Sequence, residues 1–226
     1  MHRSGTSLLA GCLQAAGLYL GEVNNAAPHN KKGNKENEAV REWHESLLDR
    51  RGFSWKRPPP GGLLWTHEEC EELLGLLKPY QDSAVPWGFK DPRLVWFIES
   101  WLSLFPNARL IAVFRHPSQV ANSLADRPGT LHMPVEEGLT LWANTNLRIL
   151  DLRKRFRFPL LHYVSDDRLD KEFFSPLELF CKRNGLTGAP RAFYDSSLTH
   201  QRIKPDIVPN HLMQIYNLLI SKSVEA

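Results

Sequence analysis

The chain has 226 residues, of which 42% are hydrophobic, with 28 Lys or Arg against 25 Asp or Glu. The net charge of +3 is too weak to argue for nucleic acid as a partner, and no run of about 18 apolar residues is present to span a membrane. Three widely spaced cysteines without a CxxC pair argue against a zinc or disulfide scaffold and favour a reducing compartment, so we predict a cytoplasmic protein.

The first third of the chain alternates predicted helices with polar loops. Apolar residues recur at helical spacing in "SLLAGCLQAAGL" (7–18), "NEAVREWHESLLDR" (37–50) and "THEECEELLGLLK" (66–78). Thr66 is placed to cap the start of the third helix. Asn, Gly, Pro and Lys dominate residues 21–37, and three consecutive prolines lie within 52–62, so both segments are predicted loops.

The remaining two thirds mix short apolar strands with helices. Strands are predicted within "VPWGFKDPR" (85–93), "ARLIAVF" (108–114) and "FPLLHYVSDDRL" (158–169), the second being a continuous apolar run of the buried parallel type. Helices are predicted at 94–105, 118–127, 135–155 and 175–186, the last ending at Gly185. This alternation predicts an α/β fold, a single domain over residues 1–226 with a parallel sheet covered on both faces.

The opening "MHRSGTS" has the character of a phosphate-binding turn. In the pattern G-x-x-x-x-G-K-[ST], Gly5, Thr6 and Ser7 take the last three places, so Thr6 stands where lysine is expected. Backbone N–H groups at the start of the following helix can still bind an anion, and Arg3 can supply the positive charge. The alternative is an ordinary helix start capped by Ser or Thr.

A second candidate anion site follows the strand at 108–114. Arg115 stands at the carboxyl end of that strand, where open α/β sheets place their ligands, and Ser123 follows eight residues later in the next helix. An arginine and a serine that converge can hold a phosphate through charge-assisted hydrogen bonds. The alternative is a surface arginine and an unrelated helical serine.

Together these segments resemble the sulfotransferases that use 3′-phosphoadenosine 5′-phosphosulfate (PAPS). "RSGTS" (3–7) is similar to the family's 5′-phosphosulfate loop, and Arg115-His116-Pro117 through Ser123 matches its R-x-P-x5-S motif for the 3′-phosphate. "NKKGNKENEAV" (30–40) and "FKDPR" (89–93) resemble two further family segments. The resemblance implies a three-layer α/β/α fold with a central parallel sheet, similar to the P-loop nucleoside-triphosphate hydrolases.

The activity that the resemblance implies is transfer of a sulfuryl group from PAPS to a hydroxyl or amine of a carbohydrate or small-molecule acceptor. Arg3 and Lys90 would stabilise the charge that develops in the transition state, without a metal ion. Asp91 and Arg93 are expected to fix the turn around Lys90 by ion pairing. The implied donor-binding set is Arg3, Ser4, Gly5, Thr6, Ser7, Arg115 and Ser123.

The motif position of Glu36 makes it the candidate base that takes the acceptor's proton. Glu22, His29 and His44 are rivals for that role. Glu36 also has a simpler interpretation, because an acidic residue just before a helix favours the helix dipole.

Aromatic and basic residues supply weaker candidates. Trp55 and Trp65, beside the proline-rich loop, are candidates for the acceptor site, whereas the other tryptophans are assigned to the core. His2 and His116 flank the two phosphate-binding arginines, and we expect them to support the site rather than react. The basic run 152–158 is interpreted as a solvated helix end. Because a basic segment can also contact the 3′-phosphate in this family, that run and the pair Arg202 and Lys204 are alternative candidates for the contact.

The chain departs from the family at its start. Family members carry a hydrophobic strand before the phosphate-binding turn. We therefore expect either that this chain is truncated before residue 1 or that its start is assigned at an internal Met, and in both cases that its fold lacks the first strand. Such a strand is about five or six residues long. Because it would be central in the sheet, we expect the 226 residues alone to fold poorly or to bind PAPS weakly.

Two other functions remain open on these residues. One is a degenerate, non-catalytic sulfotransferase homologue that binds nucleotide without turnover. The other is a P-loop kinase or NTPase, against which Thr6 at the lysine position and the absence of an evident acidic metal ligand both argue. Neither the acceptor nor the oligomeric state follows from the sequence.

Overall fold

A computed structural model describes residues 1–26, 32–81, 83–198 and 208–223. The protein is a mixed α/β structure that is mostly helical, with a small two-stranded parallel sheet. The helices in chain order are α1 (Thr6–Ala15), α2 (Glu38–Asp49), α3 (His67–Gln81), α4 (Ile98–Leu104), α5 (Pro117–Ala125), α6 (Val135–Phe156), α7 (Ser175–Arg183) and α8 (Asn210–Ser223). The strands are β1 (Ala112–Phe114) and β2 (Leu160–His162).

Several helix ends carry the capping residues that the sequence indicates. The Thr66 hydroxyl accepts from the Glu69 N–H at 3.2 Å while the Glu69 carboxylate accepts from the Thr66 N–H at 2.9 Å, a capping box before α3. Asn37 caps α2 through its side-chain oxygen, which accepts from the Val40 N–H at 3.1 Å. Gly185, with φ +70°, follows the end of α7. The predictions for Thr66 and Gly185 are thus confirmed.

The sheet is shorter than the apolar runs suggest. Ala112, Val113 and Phe114 pair in parallel with Leu160, Leu161 and His162. The Ala112 N–H donates to the Pro159 carbonyl at 3.0 Å, but Pro159 has no N–H to return. Regular pairing of the predicted strand 108–114 therefore begins only at Ala112.

The strand predicted within 85–93 is present only as an isolated parallel bridge. Tyr19 N–H donates to the Pro86 carbonyl at 2.9 Å, and Gly88 N–H donates to the Tyr19 carbonyl at 3.0 Å. Pro86 cannot donate, so the ladder does not extend beyond Trp87 on that side. The prediction of a strand here is wrong in extent.

The helix predicted at 94–105 is also divided. A 3₁₀ turn spans Pro92–Trp96, started by the Asp91 carboxylate that accepts from the Arg93 N–H at 2.9 Å, and α4 begins after Phe97. Phe97 has φ −123°, which is not helical and separates the two pieces. The turn positions Lys90 and Arg93 for the site described below.

Two hydrophobic clusters cover the two faces of the sheet. Phe114 and Leu160 enter the larger cluster, with side chains of α2, α3, α4, α6 and α8. Val113 and Leu161 enter the smaller one, with side chains of α1 and α7. The coverage of both faces that the sequence predicts is confirmed for this pair of strands. Among the described residues, no helix has both the length and the apolar character needed to cross a membrane.

Candidate functional site

The candidate site is a cavity beside the start of α1. Its volume of about 660 Å³ lies within the range of roughly 300–1,000 Å³ typical of ligand sites. Its wall combines the α1 start, the loop before α2, the Lys90 turn, and residues that follow β1, α5 and β2. Members of this wall include Arg3, Gly5, Thr6, Ser7, Lys32, Asn34, Glu36, Trp55, Lys90, Arg93, Arg115, Arg127, Tyr163 and Phe193.

The chain turns sharply before α1 and leaves the helix start open. Arg3 and Gly5 adopt left-handed backbone conformations with φ +62° and +90°. No side chain caps the first turn, and Gly5, Thr6 and Ser7 all border the cavity. A Cβ on Gly5 would lie 2.9 Å from the Tyr163 ring, so only glycine fits this approach. The helix therefore presents uncapped N–H groups, which favour an anion.

Arg3 and Arg115 lie side by side in this wall. The Arg115 Nη1 donates to the Arg3 carbonyl oxygen at 3.4 Å, and the Arg3 Nε donates to the Ser123 hydroxyl at 2.7 Å. The sequence paired Ser123 with Arg115, whereas the structure joins Ser123 to Arg3. Ser4 is fully buried and does not line the cavity.

Arg115 is held by neighbours that the sequence analysis did not nominate. Its side chain is 7% exposed, donates from Nε to Gln119 Oε1 at 3.1 Å, and lies 5.0 Å from the centre of the Tyr163 ring. Gln119 is one helical turn after Arg115, and Tyr163 directly follows β2. Their positions relative to the predicted strands were the signal that could have found them.

In the part of the chain that the structure describes, the two arginines carry positive charge without an acidic side chain paired to them. The pKa of Arg3 is lowered, mainly by burial and then by the charge of the nearby Arg115. Asp126 raises it by a smaller amount. Burial also lowers the pKa of Arg115. Within the described residues neither guanidinium forms an ion pair. Because arginine stays charged in proteins, this part of the cavity favours an anionic ligand.

Lys90 and Glu36 form an ion pair in the same cavity. Lys90 Nζ lies 2.5 Å from Glu36 Oε1 and also donates to the Asn34 carbonyl oxygen at 3.1 Å. That carbonyl accepts from the Ser7 hydroxyl at 3.1 Å as well. Burial lowers the pKa of Lys90, and Glu36 opposes that shift. The structure thus brings two of the predicted catalytic residues, Lys90 and Glu36, together with the α1 start.

A buried hydrogen-bonded chain stands behind the Lys90 turn. Trp101 Nε1 donates to His44 Nε2 at 3.1 Å, so His44 must carry its proton on Nδ1, which donates to Asp91 Oδ2 at 2.8 Å. Asp91 Oδ1 accepts from Arg93 Nη1 at 2.8 Å. Arg93 also pairs with Glu45 and lies 3.8 Å from Glu36. The predicted ion pair of Asp91 and Arg93 is present.

The other candidates for the base lie elsewhere. His44 is fully buried, has both ring nitrogens engaged and does not border the cavity. Glu22 is exposed and outside the cavity wall. His29 lies outside the described residues.

The two tryptophan candidates separate. Trp55 borders the cavity, with its ring 4.7 Å from that of His2. Trp65 packs instead against Trp43 at 5.0 Å and Trp101 at 5.3 Å, outside the cavity wall. Trp65 therefore does not border the cavity, because the segment after the proline-rich loop turns into the aromatic core.

The remaining basic and histidine candidates occupy different places. Burial lowers the pKa of His2, which borders the cavity, well below its usual value. The ring of His116 lies 2.8 Å from the Ser118 hydroxyl. In the basic segment 152–158, Arg155 pairs with Glu99 at 2.5 Å, and no residue of that segment borders the cavity. Arg202 and Lys204 lie outside the described residues.

The described part of the chain contains no group of three or more His, Cys, Asp or Glu side chains placed to hold a metal ion. Comparison of the chain with protein-family models, with curated proteins and with solved structures finds no match. The geometry of the cavity is therefore the basis for any statement about function.

Proposed function

We propose that this protein is a sulfotransferase that moves a sulfuryl group from PAPS to a hydroxyl or amine of a carbohydrate or small-molecule acceptor. The observation that carries the proposal is the convergence of Arg3 and Arg115. Two separate motifs nominate them for opposite ends of one donor, and both side chains border one cavity with Arg115 Nη1 3.4 Å from the Arg3 carbonyl.

The donor has anionic groups at two ends that match the two cationic elements. The uncapped start of α1, from Gly5 to Ser7, receives the 5′-phosphosulfate together with Arg3. Arg115 receives the 3′-phosphate through a charge-assisted hydrogen bond. Ser123 holds the Arg3 side chain from behind through its 2.7 Å hydrogen bond.

Lys90 and Glu36 are placed for the transfer itself. The acceptor hydroxyl forms a new S–O bond as the S–O bond to the 5′-phosphate breaks, and adenosine 3′,5′-bisphosphate leaves. Lys90 and Arg3 stabilise the charge on the sulfuryl and bridging oxygens. When the sulfonate replaces Glu36 as the anion beside Lys90, the Glu36 carboxylate is free to take the acceptor's proton.

The fold that suits this function is a three-layer α/β/α domain similar to the P-loop nucleoside-triphosphate hydrolases. Its support is a parallel sheet covered on both faces and an anion-binding turn that leads into α1. Three free cysteines suit a cytoplasmic protein.

Calorimetric titration tests the donor assignment. Adenosine 3′,5′-bisphosphate should bind equally well with and without Mg²⁺, and more tightly than ATP. A preference for ATP that requires Mg²⁺ would contradict the proposal and favour a P-loop kinase or NTPase.

The catalytic assignment is tested with Glu36→Gln, assayed for transfer from PAPS to a panel of hydroxyl acceptors. The variant should lose transfer by at least about a hundredfold, the usual contribution of a general base, and should keep its affinity for the bisphosphate. Glu68→Gln, at an exposed position in the first turn of α3, is the matched control. Transfer that survives Glu36→Gln would remove Glu36 from the mechanism.

One observation favours a second candidate, a nucleotide-binding homologue without turnover. Glu36 and Lys90 already neutralise each other at 2.5 Å. If the wild-type protein binds the bisphosphate but transfers no sulfuryl group to any acceptor of the panel, this second function stands.

A further inference from the structure

A further cation, Arg127, borders the cavity and has no assigned role. Within the described residues its guanidinium donates no hydrogen bond, and its Nε is buried without a partner. The pKa of Arg127 is lowered, mainly by burial and then by the charge of Arg3, whereas the charge of Glu36 raises it. Arg127 is half-buried, and a partly desolvated cation that forms no ion pair within the described residues favours a bound negative charge.

Arg127 borders the same cavity as Arg3 and Arg115. Arg115 perturbs the pKa of Arg3, whereas the pKa of Arg127 is affected by Arg3, Glu36 and Arg93. Arg127 is therefore nearer the residues proposed for the transfer step than the residue proposed for the 3′-phosphate. A donor that spans Arg3 and Arg115 leaves Arg127 for the other reactant.

Trp55 borders the cavity beside this cation, and Lys56 Nζ lies 5.5 Å from the centre of its ring. The Arg127 guanidinium lies 5.9 Å from the centre of the Trp55 ring, which also contacts the His2 ring at 4.7 Å. The next residue, Lys56, donates from Nζ to the carbonyls of Thr130 and His132 at 2.6 and 2.8 Å. These bonds fasten the loop that carries Trp55, so the ring is held in place before a ligand arrives.

We propose that Arg127 and Trp55 form the acceptor subsite, and that the acceptor is an acidic sugar, a pyranoside ring that carries a carboxylate. The ring stacks on the Trp55 face, and the carboxylate accepts a charge-assisted hydrogen bond from Arg127. This inference rests on the proposed sulfotransferase function, because it assigns the acceptor of the same cavity.

The test compares methyl β-D-glucuronide with methyl β-D-glucoside, which differ only in the carboxylate. Binding of each to the protein saturated with adenosine 3′,5′-bisphosphate is measured by NMR titration. The glucuronide should bind at least about tenfold more tightly, the lower bound for a hydrogen bond to a charged group. Arg127→Gln should abolish that preference, and Trp55→Leu should weaken the binding of both sugars by similar factors.

Arg57→Gln is the matched control, since Arg57 is an exposed arginine of the same loop as Trp55. Arg57→Gln should leave the affinities for both sugars and for the bisphosphate unchanged. The inference is overturned if the wild-type protein binds the two sugars equally, or if the preference for the glucuronide survives Arg127→Gln. In either case the proposed function still stands as long as the protein binds adenosine 3′,5′-bisphosphate. If Arg127→Gln weakens the bisphosphate tenfold instead, Arg127 belongs to the donor site, and the inference is overturned as well. Failure of the bisphosphate itself to bind overturns both proposals.

Discussion

Replacing Asp91 by asparagine should destabilise the protein strongly, because it breaks the buried chain behind the Lys90 turn. Asp91 accepts from Arg93 N and Nη1 at 2.9 and 2.8 Å and from His44 Nδ1 at 2.8 Å. Asparagine keeps the shape and the oxygen that faces Arg93, but it turns an NH₂ group toward the His44 N–H. The other His44 tautomer is no remedy, since its Nε2 proton would then face the Trp101 N–H.

The magnitude follows from what the substitution leaves unpaired. One buried donor without an acceptor costs about 1–3 kcal/mol, and removal of one member of a buried ion pair costs roughly 3–5 kcal/mol. Since the asparagine side chain keeps the two hydrogen bonds from Arg93, we expect the lower end, about 3 kcal/mol in the free energy of unfolding. Domains have about 5–15 kcal/mol of stability, so this loss is a large and measurable fraction of it.

Urea denaturation at neutral pH measures this loss, with an unchanged m-value as the sign that both proteins unfold to the same state. The control is Asp49→Asn, at the exposed end of α2, which should change the free energy of unfolding by less than about 0.5 kcal/mol. Hydrogen bonding from His44 and the charge of Arg93 overcome burial to hold the pKa of Asp91 well below its usual value. The difference in free energy of unfolding between the wild type and Asp91→Asn is therefore complete above about pH 3.9, the pKa of an aspartate in the unfolded chain. It decreases as the pH falls below that value. A loss under about 1 kcal/mol at neutral pH would refute this reasoning.

Four further outcomes are expected at other sites. Burial raises the pKa of Tyr216 to about 12, so the free energy of unfolding should fall by up to about 1.4 kcal/mol per unit above pH 10. Urea titrations from pH 8 to 11 should show a smaller fall for Tyr216→Phe, and identical curves would contradict the assignment. Gly11→Ala should destabilise by about 1–3 kcal/mol, because its Cβ would lie 2.2 Å from the Phe193 ring. A Cβ on Gly75 would have no atom within 4 Å. Gly75→Ala should therefore increase the free energy of unfolding by up to about 1 kcal/mol and raise the thermal midpoint. Arg115→Met should weaken adenosine 3′,5′-bisphosphate at least about tenfold by calorimetry; unchanged affinity would exclude Arg115 from the donor site.

The long amphipathic segments were predictable from sequence because their signals are local. The helix expected at 135–155 is observed as Val135–Phe156, and the capping box of Thr66 starts α3 where the sequence indicates. The extent of the strands was not predictable in the same way. Pro86 and Pro159 each lack the N–H that a longer ladder would need, and their effect depends on which segment lies opposite.

The candidate site was predictable in its members more than in their pairings. Arg3, Glu36, Lys90 and Arg115 all border the cavity, but the partner of Ser123 is Arg3 rather than Arg115. The sequence analysis missed Arg127. Its distinguishing feature is that its Nε is buried and has no hydrogen-bond acceptor among the described residues, and only the folded structure shows this. Trp65 illustrates the converse, since its place beside Trp43 and Trp101 depends on how the chain returns after the proline-rich loop.

A single peptide group links two parts of the cavity that are distant in sequence. The Asn34 carbonyl accepts from both the Ser7 hydroxyl and Lys90 Nζ, each at 3.1 Å. A displacement of this peptide by a few ångströms would break both hydrogen bonds in one event, so the α1 turn and the lysine would lose their shared anchor simultaneously. A movement of this peptide would therefore affect the start of α1 and Lys90 together, while the ion pair with Glu36 still holds the lysine.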